Sequence, residues 1–155
     1  NMLLHEGTSL SQGKHEISLE PVEPGLLIRG ATEELHSALG NLVSNAVRYT
    51  PAGGTIKLHL FLRGTDVLFS VQDTGIGIEQ QHIDRLTERF YRVDRSRSRE
   101  TGGTGLGLSI VKHILTRHQG HLEIESEAGK GSVFTAVLPQ SRLIRKPVAQ
   151  PTAAA

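Results

Sequence analysis

Apolar side chains recur at helical spacing in two stretches of the chain, and each stretch is bounded by residues that start or end helices. In the first stretch the apolar positions are Leu35, Leu39, Leu42, Val43 and Ala46. Thr32 can cap its start, and Pro51 ends it because proline disfavours helical geometry at the preceding residue. The second stretch begins at Leu106 and ends near Gly120. The pattern therefore predicts two amphipathic helices.

Apolar and polar residues alternate in several short stretches, which predicts strands on either side of the helices. The predicted strands cover residues 14–22, 25–29, 56–62, 67–71, 122–124 and 133–138. The turn at 63–66 joins two of them into an antiparallel hairpin with one face in the core. Asp73 shares the parity of Phe69 and Val71, so its carboxylate is expected to point toward the buried face. A buried charge needs a partner or a ligand.

Length and composition agree with a single α/β domain. The chain has 155 residues, 37% of them hydrophobic, and its net charge of +1 gives no overall attraction to nucleic acid or to a membrane surface. Cysteine is absent, which excludes disulfides and cysteine metal sites. We expect residues 14–139 to form the domain, 1–13 to be the end of a preceding dimerisation or linker helix, and 140–155 to be a disordered basic tail. Because the chain begins at Asn1 rather than at methionine, we expect it to be a piece of a longer protein.

A glycine-rich stretch leads directly into the second predicted helix. Its glycines are Gly102, Gly103, Gly105 and Gly107. Backbone N–H groups in such a stretch can surround an anion, and the helix start directs its free donors and positive dipole end to the same point. Phosphate is the expected ligand, with a plain connecting turn as the alternative. Upstream, a short helix is predicted over 80–90, and the dense charge of residues 91–104 predicts a mobile loop or lid.

Polar side chains form one stripe on the first predicted helix, beside its leucine face. Asn41, Asn45 and Arg48 are spaced i, i+4 and i+7, which places them on one side of a helix. Asparagine is a poor helix former, and its side-chain oxygen is a suitable ligand for Mg²⁺ bound to nucleotide phosphates. Arg48 would then neutralise phosphate charge. The alternative is a solvated helix face.

Two other nucleotide sites and a metal site are disfavoured by spacing. Gly131 stands where a Walker A motif needs serine or threonine, and Gln80 stands where a Rossmann fingerprint needs its third glycine. His113, His118 and His121 are spread over a predicted helix, its cap and a strand. Structural or solvated roles are therefore predicted for these histidines rather than metal binding.

Four motifs, in this order, resemble the N, G1, F and G2 boxes of the sensor histidine kinases. They cover residues 41–49, 73–77, 89–92 and 102–108. The stretches 2–8 and 85–94 are most similar to the phosphate-regulon sensor kinases, and the resemblance as a whole extends over about 32–139. It implies a GHKL, or Bergerat, α/β sandwich, in which a mixed and mostly antiparallel sheet is covered on one face by helices and a mobile lid closes over ATP.

The resemblance also implies roles for individual side chains. Asn45 would ligate Mg²⁺ with Asn41 assisting, so that both asparagines act in catalysis, while Arg48 would meet phosphate. Asp73 would accept a hydrogen bond from the adenine amino group, and Tyr49 would pack near the adenine. The further ATP-binding positions are Gly75, Gly77, Ile78, Phe90, Gly103, Thr104, Gly105, Leu106, Gly107 and Leu108.

The implied activity is that of a protein-histidine kinase, which transfers the γ-phosphoryl group of ATP to histidine. Related ATPases of this fold carry glutamate at the position of Asn41, and an amide cannot activate water as a general base. The phosphoryl group is therefore expected to go to a protein group. Arg97 and Arg99 are predicted from their charge and place in the lid to reach the γ-phosphate, with a solvated loop as the alternative. His5 lacks the Thr-Pro pair that follows an acceptor histidine, so the acceptor is expected outside this sequence.

The implied partners are the protein's own dimerisation domain, usually in a homodimer, and a response regulator that receives the phosphoryl group on aspartate. No nucleic acid partner is implied. The full-length protein would be anchored in a bacterial inner membrane with this domain in the cytoplasm. Two alternatives remain: an ATPase of the same fold, such as a gyrase or chaperone ATPase, and a nucleotide-binding module without kinase chemistry.

Overall fold

The computed structural model describes residues 2–22, 26–83, 85 and 107–145. Its helices are α1 (Met2–Ser11), α2 (Thr32–Tyr49), α3 (Gln80–Ile83) and α4 (Gly107–Arg117). Its strands are β1 (Glu16–Leu19), β2 (Leu26–Ile28), β3 (Thr55–Arg63), β4 (Asp66–Asp73), β5 (His121–Glu127), β6 (Gly131–Leu138) and β7 (Leu143–Arg145), with a 3-10 turn at Gln140–Arg142. Both amphipathic helices and all six predicted strands are present, because their periodic patterns reflect one buried face each.

Five strands form a mixed sheet in the order β1-β3-β4-β6-β5, and β2 pairs with β7 in a separate two-stranded sheet. β1 and β3 are parallel, whereas the other neighbouring strands are antiparallel. The predicted mixed and mostly antiparallel sheet is confirmed. β4 is the central strand, and its last residue, Asp73, pairs with Ile56 on one side and with Ser132 on the other. The carboxylate is thereby placed at the end of the most enclosed strand.

One face of the sheet packs against α2 and α4 and forms the main core. Ile56, Leu58 and Val71 from the strands meet Leu42 and Leu115 from the helices, and each of these side chains is at most 1% exposed. Burial of an aliphatic side chain of this size stabilises the fold by about 1.5–3 kcal/mol relative to exposure. The predicted helical layer on one face of the sheet is confirmed.

A buried histidine ties the end of α4 to the start of α2. His118 is 4% exposed, its Nε2 accepts a hydrogen bond from the Ala31 N–H at 3.1 Å, and its Nδ1 lies 2.8 Å from the carbonyl oxygen of Ile114. The structural role predicted for His118 is confirmed. The cap predicted at Thr32 is wrong by one residue: Ala31 occupies the cap position without a side-chain hydrogen bond, and its own N–H donates to the His118 ring.

Replacing His118 with alanine is expected to lower the free energy of unfolding by about 2 kcal/mol, because the Ala31 N–H loses its acceptor and a cavity opens beside Gly30. The matched control is His113→Ala on the exposed side of the same helix, which should change stability by less than about 0.5 kcal/mol. Urea denaturation measures both. Equal stability of the two variants would show that the His118 contacts contribute nothing.

Regular structure continues beyond residue 139, although the sequence predicts a disordered tail from residue 140. β7 pairs with β2, and the Arg29 N–H donates to the carbonyl oxygen of Arg142 at 2.7 Å. Leu143 also packs against the core. The prediction of a disordered tail is therefore wrong for residues 140–145, because a pairing partner far away in the chain leaves no local pattern. Residues 146–155 lie outside the described residues.

The N-terminal helix α1 packs against α2. The Glu6 carboxylate lies 2.9 Å from Nε2 of His36, and a Cβ placed on Gly7 would lie 2.9 Å from Cγ1 of Val43. The assignment of residues 1–13 to a preceding dimerisation or linker helix stays a prediction. Within the described ranges, no helix is both long and apolar enough to cross a membrane.

Candidate nucleotide-binding site

The Asp73 carboxylate lies at the end of β4 and is 7% exposed. Its Oδ1 accepts a hydrogen bond from the Gly75 N–H at 2.9 Å, and the backbone N–H of Ser132 also donates to the carboxylate. Burial raises the pKa of Asp73 above its ordinary value, and the two N–H donors oppose this rise only in part. The inward orientation predicted from strand parity is confirmed. A buried carboxylate of this kind is suited to accept a hydrogen bond from a ligand that supplies an N–H group.

The loop after Asp73 runs directly against the C-terminal end of α2. A Cβ placed on Gly75 would lie 2.5 Å from the carbonyl oxygen of Tyr49 and 2.9 Å from Oδ1 of Asp73. The Ile76 N–H donates to the same Tyr49 carbonyl at 3.3 Å. Only glycine fits at position 75 without displacing the loop or the helix end. The structure thus brings together Tyr49, Asp73 and Gly75, which the sequence places in two separate motifs.

The turn between β5 and β6 holds the second half of this loop. Gly77 has φ of +71°, and a Cβ there would overlap the backbone carbonyl of Glu127. The Ile78 N–H donates to Oγ of Ser126 at 2.8 Å, and the Ser126 and Ser132 hydroxyls are 2.7 Å apart. The sequence reasoning missed these two serines. A signal is nevertheless present, because two glycines separated by one residue recur immediately before Ser132.

The start of α4 meets α2 at Asn41. The Asn41 side-chain Nδ2 donates to the carbonyl oxygen of Ser37 at 2.7 Å, and a Cβ placed on Gly107 would lie 3.1 Å from Oδ1 of Asn41. The N-terminal end of α4 and the first asparagine of the stripe are therefore neighbours, as a shared phosphate site requires. Leu108 follows at the helix start and packs against the core.

Asn45 lies one turn beyond Asn41 on α2 and is half-buried. It thus stands along the helix between the Gly107 contact and the loop at Asp73. Among the described residues, no three histidine, cysteine, aspartate or glutamate side chains are grouped to hold a metal ion. The Mg²⁺ ligands predicted on α2 are the amide oxygens of Asn41 and Asn45, and their role stays a prediction.

Arg48 lines a cavity of about 510 Å³ between the C-terminal ends of α1 and α2, together with Lys14 and His15. The His15 ring connects these two ends, because its Nδ1 lies 2.9 Å from Oγ of Ser11 and its Nε2 contacts the carbonyl oxygen of Thr50. The structure thus places Arg48 beside α1, in the cavity rather than at the Asp73 loop. Its phosphate contact stays a prediction.

Several predicted site residues lie outside the described residues, so their roles also stay predictions. They are Phe90, Arg97, Arg99, Gly103, Thr104, Gly105 and Leu106. The predicted lid over 91–104 and most of the short helix predicted over 80–90 fall in the same gap, and α3 covers only Gln80–Ile83 of that helix.

Comparison with known proteins identifies the family. Residues 30–142 match the family described as histidine kinase-, DNA gyrase B-, and HSP90-like ATPase. The chain is 53% identical over 132 residues to the phosphate regulon sensor protein PhoR of Pseudomonas aeruginosa, covering 84% of this chain and 30% of that protein. It is 42% identical over 146 residues to PhoR of Haemophilus influenzae, covering 94% of this chain and 34% of that protein.

The fold has close structural neighbours as well. The full-length structure of ShkA in complex with AMPPNP superimposes with a TM-score of 0.76 at 27% sequence identity, covering 95% of this chain and 30% of that one. This chain spans about a third of the length of the PhoR proteins that it matches. The family match covers the glycine loop at Asp73, the asparagines of α2 and the start of α4. The chain therefore belongs to the histidine kinase-, DNA gyrase B-, and HSP90-like ATPase family, as an ATP-binding domain homologous to those of the PhoR sensor kinases.

Proposed function

We propose that this chain is the catalytic domain of a sensor histidine kinase of the phosphate-regulon type. It binds Mg-ATP and transfers the γ-phosphoryl group to a histidine on a dimerisation domain of the same protein. One observation carries the proposal: Asn41, an amide, lies beside the start of α4, where a Cβ placed on Gly107 would be 3.1 Å from its Oδ1. An amide at this position cannot remove a proton from water, so the phosphoryl group is reserved for a protein acceptor.

The residues present fit Mg-ATP at both ends of the site. Asp73 accepts a hydrogen bond from the adenine amino group, with its carboxylate held by the Gly75 N–H. Asn45 ligates Mg²⁺ with Asn41 assisting, because Mg²⁺ in nucleotide sites takes few protein oxygens and keeps several waters. When bound, Mg²⁺ neutralises part of the phosphate charge.

Transfer requires positioning more than covalent chemistry from this domain. A ring nitrogen of the acceptor histidine forms a bond to the γ-phosphorus while the bond to the β–γ bridging oxygen breaks, and ADP leaves. The backbone N–H groups at the start of α4 point toward the phosphates and stabilise their negative charge. Arg48, Arg97 and Arg99 contribute further positive charge, and Phe90 anchors the lid over the site.

The proposed partners follow from the same activity. The domain acts on a dimerisation domain, usually in a homodimer, and a response regulator then receives the phosphoryl group on aspartate. The full-length protein is proposed to be anchored in a bacterial inner membrane, with this domain on the cytoplasmic side. The similarity to the PhoR proteins supports these partners.

Mixing this chain and γ-labelled ATP with the separately expressed dimerisation domain of the same protein tests the proposal. Label is expected on the acceptor histidine, in an acid-labile and base-stable linkage, and hydrolysis by the isolated chain is expected to be slow. Rapid release of free phosphate without the acceptor would favour the ATPase alternative. Tight ATP binding with neither transfer nor hydrolysis would favour the nucleotide-binding module.

A further inference from the structure

The Thr50 hydroxyl is buried without a hydrogen-bond partner among the described residues. Thr50 follows the last residue of α2 and is 3% exposed. Among the described residues, its Oγ1 is the only buried side-chain nitrogen or oxygen without a hydrogen-bond partner. An unpaired buried hydroxyl is unfavourable, so such groups usually receive a partner from a ligand or an ordered water.

The position of this hydroxyl points to the nucleotide base. A Cβ placed on Gly75 would lie 3.1 Å from Oγ1 of Thr50 and 2.9 Å from Oδ1 of Asp73, so both oxygens approach the same point on the loop. The methyl group of Thr50 faces away, toward Gly54. The Thr50 carbonyl oxygen is held by the His15 ring, which fixes the backbone from the side of α1.

The two oxygens offer different hydrogen-bonding chemistry. The Asp73 carboxylate only accepts, whereas a threonine hydroxyl can both donate and accept. Adenine presents an amino group, which donates, beside ring nitrogen N1, which accepts. Guanine presents the reverse order, a carbonyl oxygen beside an N1–H. An acceptor at Asp73 beside a hydroxyl at Thr50 therefore matches the edge of adenine, whereas with guanine the carbonyl oxygen would face the Asp73 carboxylate.

We propose that the Thr50 hydroxyl donates to N1 of the adenine ring, directly or through one ordered water, and that Thr50 is a base-binding residue of this site. The inference rests on the proposed function, because it requires ATP to bind at Asp73. Nucleotide binding then supplies the partner that the hydroxyl lacks among the described residues.

The test compares the unchanged chain with Thr50→Val and Thr50→Ser by calorimetric titration with ATP and with 1-deaza-ATP, in which C–H replaces N1. Valine keeps the shape of threonine and removes the donor, so affinity for ATP is expected to fall about fivefold, as for the loss of one hydrogen bond between neutral groups. Affinity for 1-deaza-ATP should be the same in the valine variant and the unchanged chain. Serine keeps the donor and should bind ATP within about twofold of the unchanged chain.

Thermal unfolding without nucleotide completes the test. Because the hydroxyl has no partner within the described structure, Thr50→Val should melt at or above the temperature of the unchanged chain. A lower melting temperature would reveal a structural partner and overturn the inference. If Thr50→Val lost the same affinity for ATP and for 1-deaza-ATP, or lost affinity for neither, the inference would be overturned as well. Failure of the unchanged chain to bind ATP would overturn the proposed function and, with it, this inference.

Discussion

Replacing Asp73 with asparagine is expected to weaken ATP binding at least about tenfold and to reduce the preference for adenine over guanine nucleotides by at least ~1 kcal/mol. The carboxylate is buried and already anchored to Gly75, so it offers a fixed acceptor to the adenine amino group. Asparagine has one oxygen in place of two, and its amide nitrogen can donate to the carbonyl oxygen of guanine. Competition between the two nucleotides for a fluorescent ATP analogue measures the change in preference.

The matched control is Asp66→Asn at the opposite end of the same strand. It removes the same charge far from the glycine loop and should leave both nucleotide affinities within about twofold, as expected for substitutions remote from a site. If Asp73→Asn left the preference for adenine over guanine nucleotides unchanged, the assignment of Asp73 to the base site would be wrong.

The fold itself should tolerate Asp73→Asn. The pKa of Asp73 is raised in the folded protein, so its ionised form costs stability above the unfolded pKa, and this cost disappears as pH falls through the folded pKa. Asparagine carries no charge and avoids that cost. The nucleotide-free variant is therefore expected to be at least as stable as the unchanged chain near neutral pH, so weakened binding cannot be attributed to unfolding.

Replacing Asn45 with alanine is expected to weaken binding of Mg-ATP about tenfold or more and binding of Mg-free ATP by less than about twofold. The reason is that the side-chain oxygen of Asn45 is assigned to the metal rather than to the nucleotide. Alanine is the better helix former, so α2 should not be weakened. Titrations with excess Mg²⁺ and with chelator separate the two affinities.

Ser44→Ala is the control for this second variant. Ser44 is the neighbouring residue on α2, its hydroxyl donates to the backbone carbonyl of Asn41 at 3.1 Å, and it lines the cavity beside α1. Its removal should leave the Mg²⁺ dependence unchanged. If Asn45→Ala weakened both forms of ATP equally, the metal role would have to be given up.

Local periodicity was sufficient for most of the fold. The leucines of α2 and the alternation through β3 and β4 each reflect a single buried face. Strand parity also correctly predicted that the Asp73 side chain points inward. The same reasoning could not find β7, whose partner β2 lies far away in the chain and whose three residues are too few to show alternation. Pairing of this kind is decided by tertiary packing rather than by local sequence.

The site was predictable as a set of motifs but not as a set of contacts. Motif order indicated Asn41, Asp73 and Gly107, yet the approach of Gly107 to Asn41 depends on how α4 packs against α2. The close packing of the β5–β6 turn against Gly77 also joins segments that are distant in sequence. Nothing in the sequence indicated a role for Thr50 in base binding, because a threonine before a proline is typical of an ordinary helix end.

The most direct measurement is to follow the backbone and asparagine side-chain amide resonances of the isotopically labelled chain during titration with Mg-ATP. If α2, the Asp73 loop and the start of α4 all bind the same nucleotide, little change in chemical shift is expected on β1. The largest changes are then expected at Asn41, Asn45, Gly75, Gly77 and Gly107. Changes confined to the cavity between α1 and α2, with the Asp73 loop and Gly107 unaffected, would contradict that convergence and the kinase assignment with it.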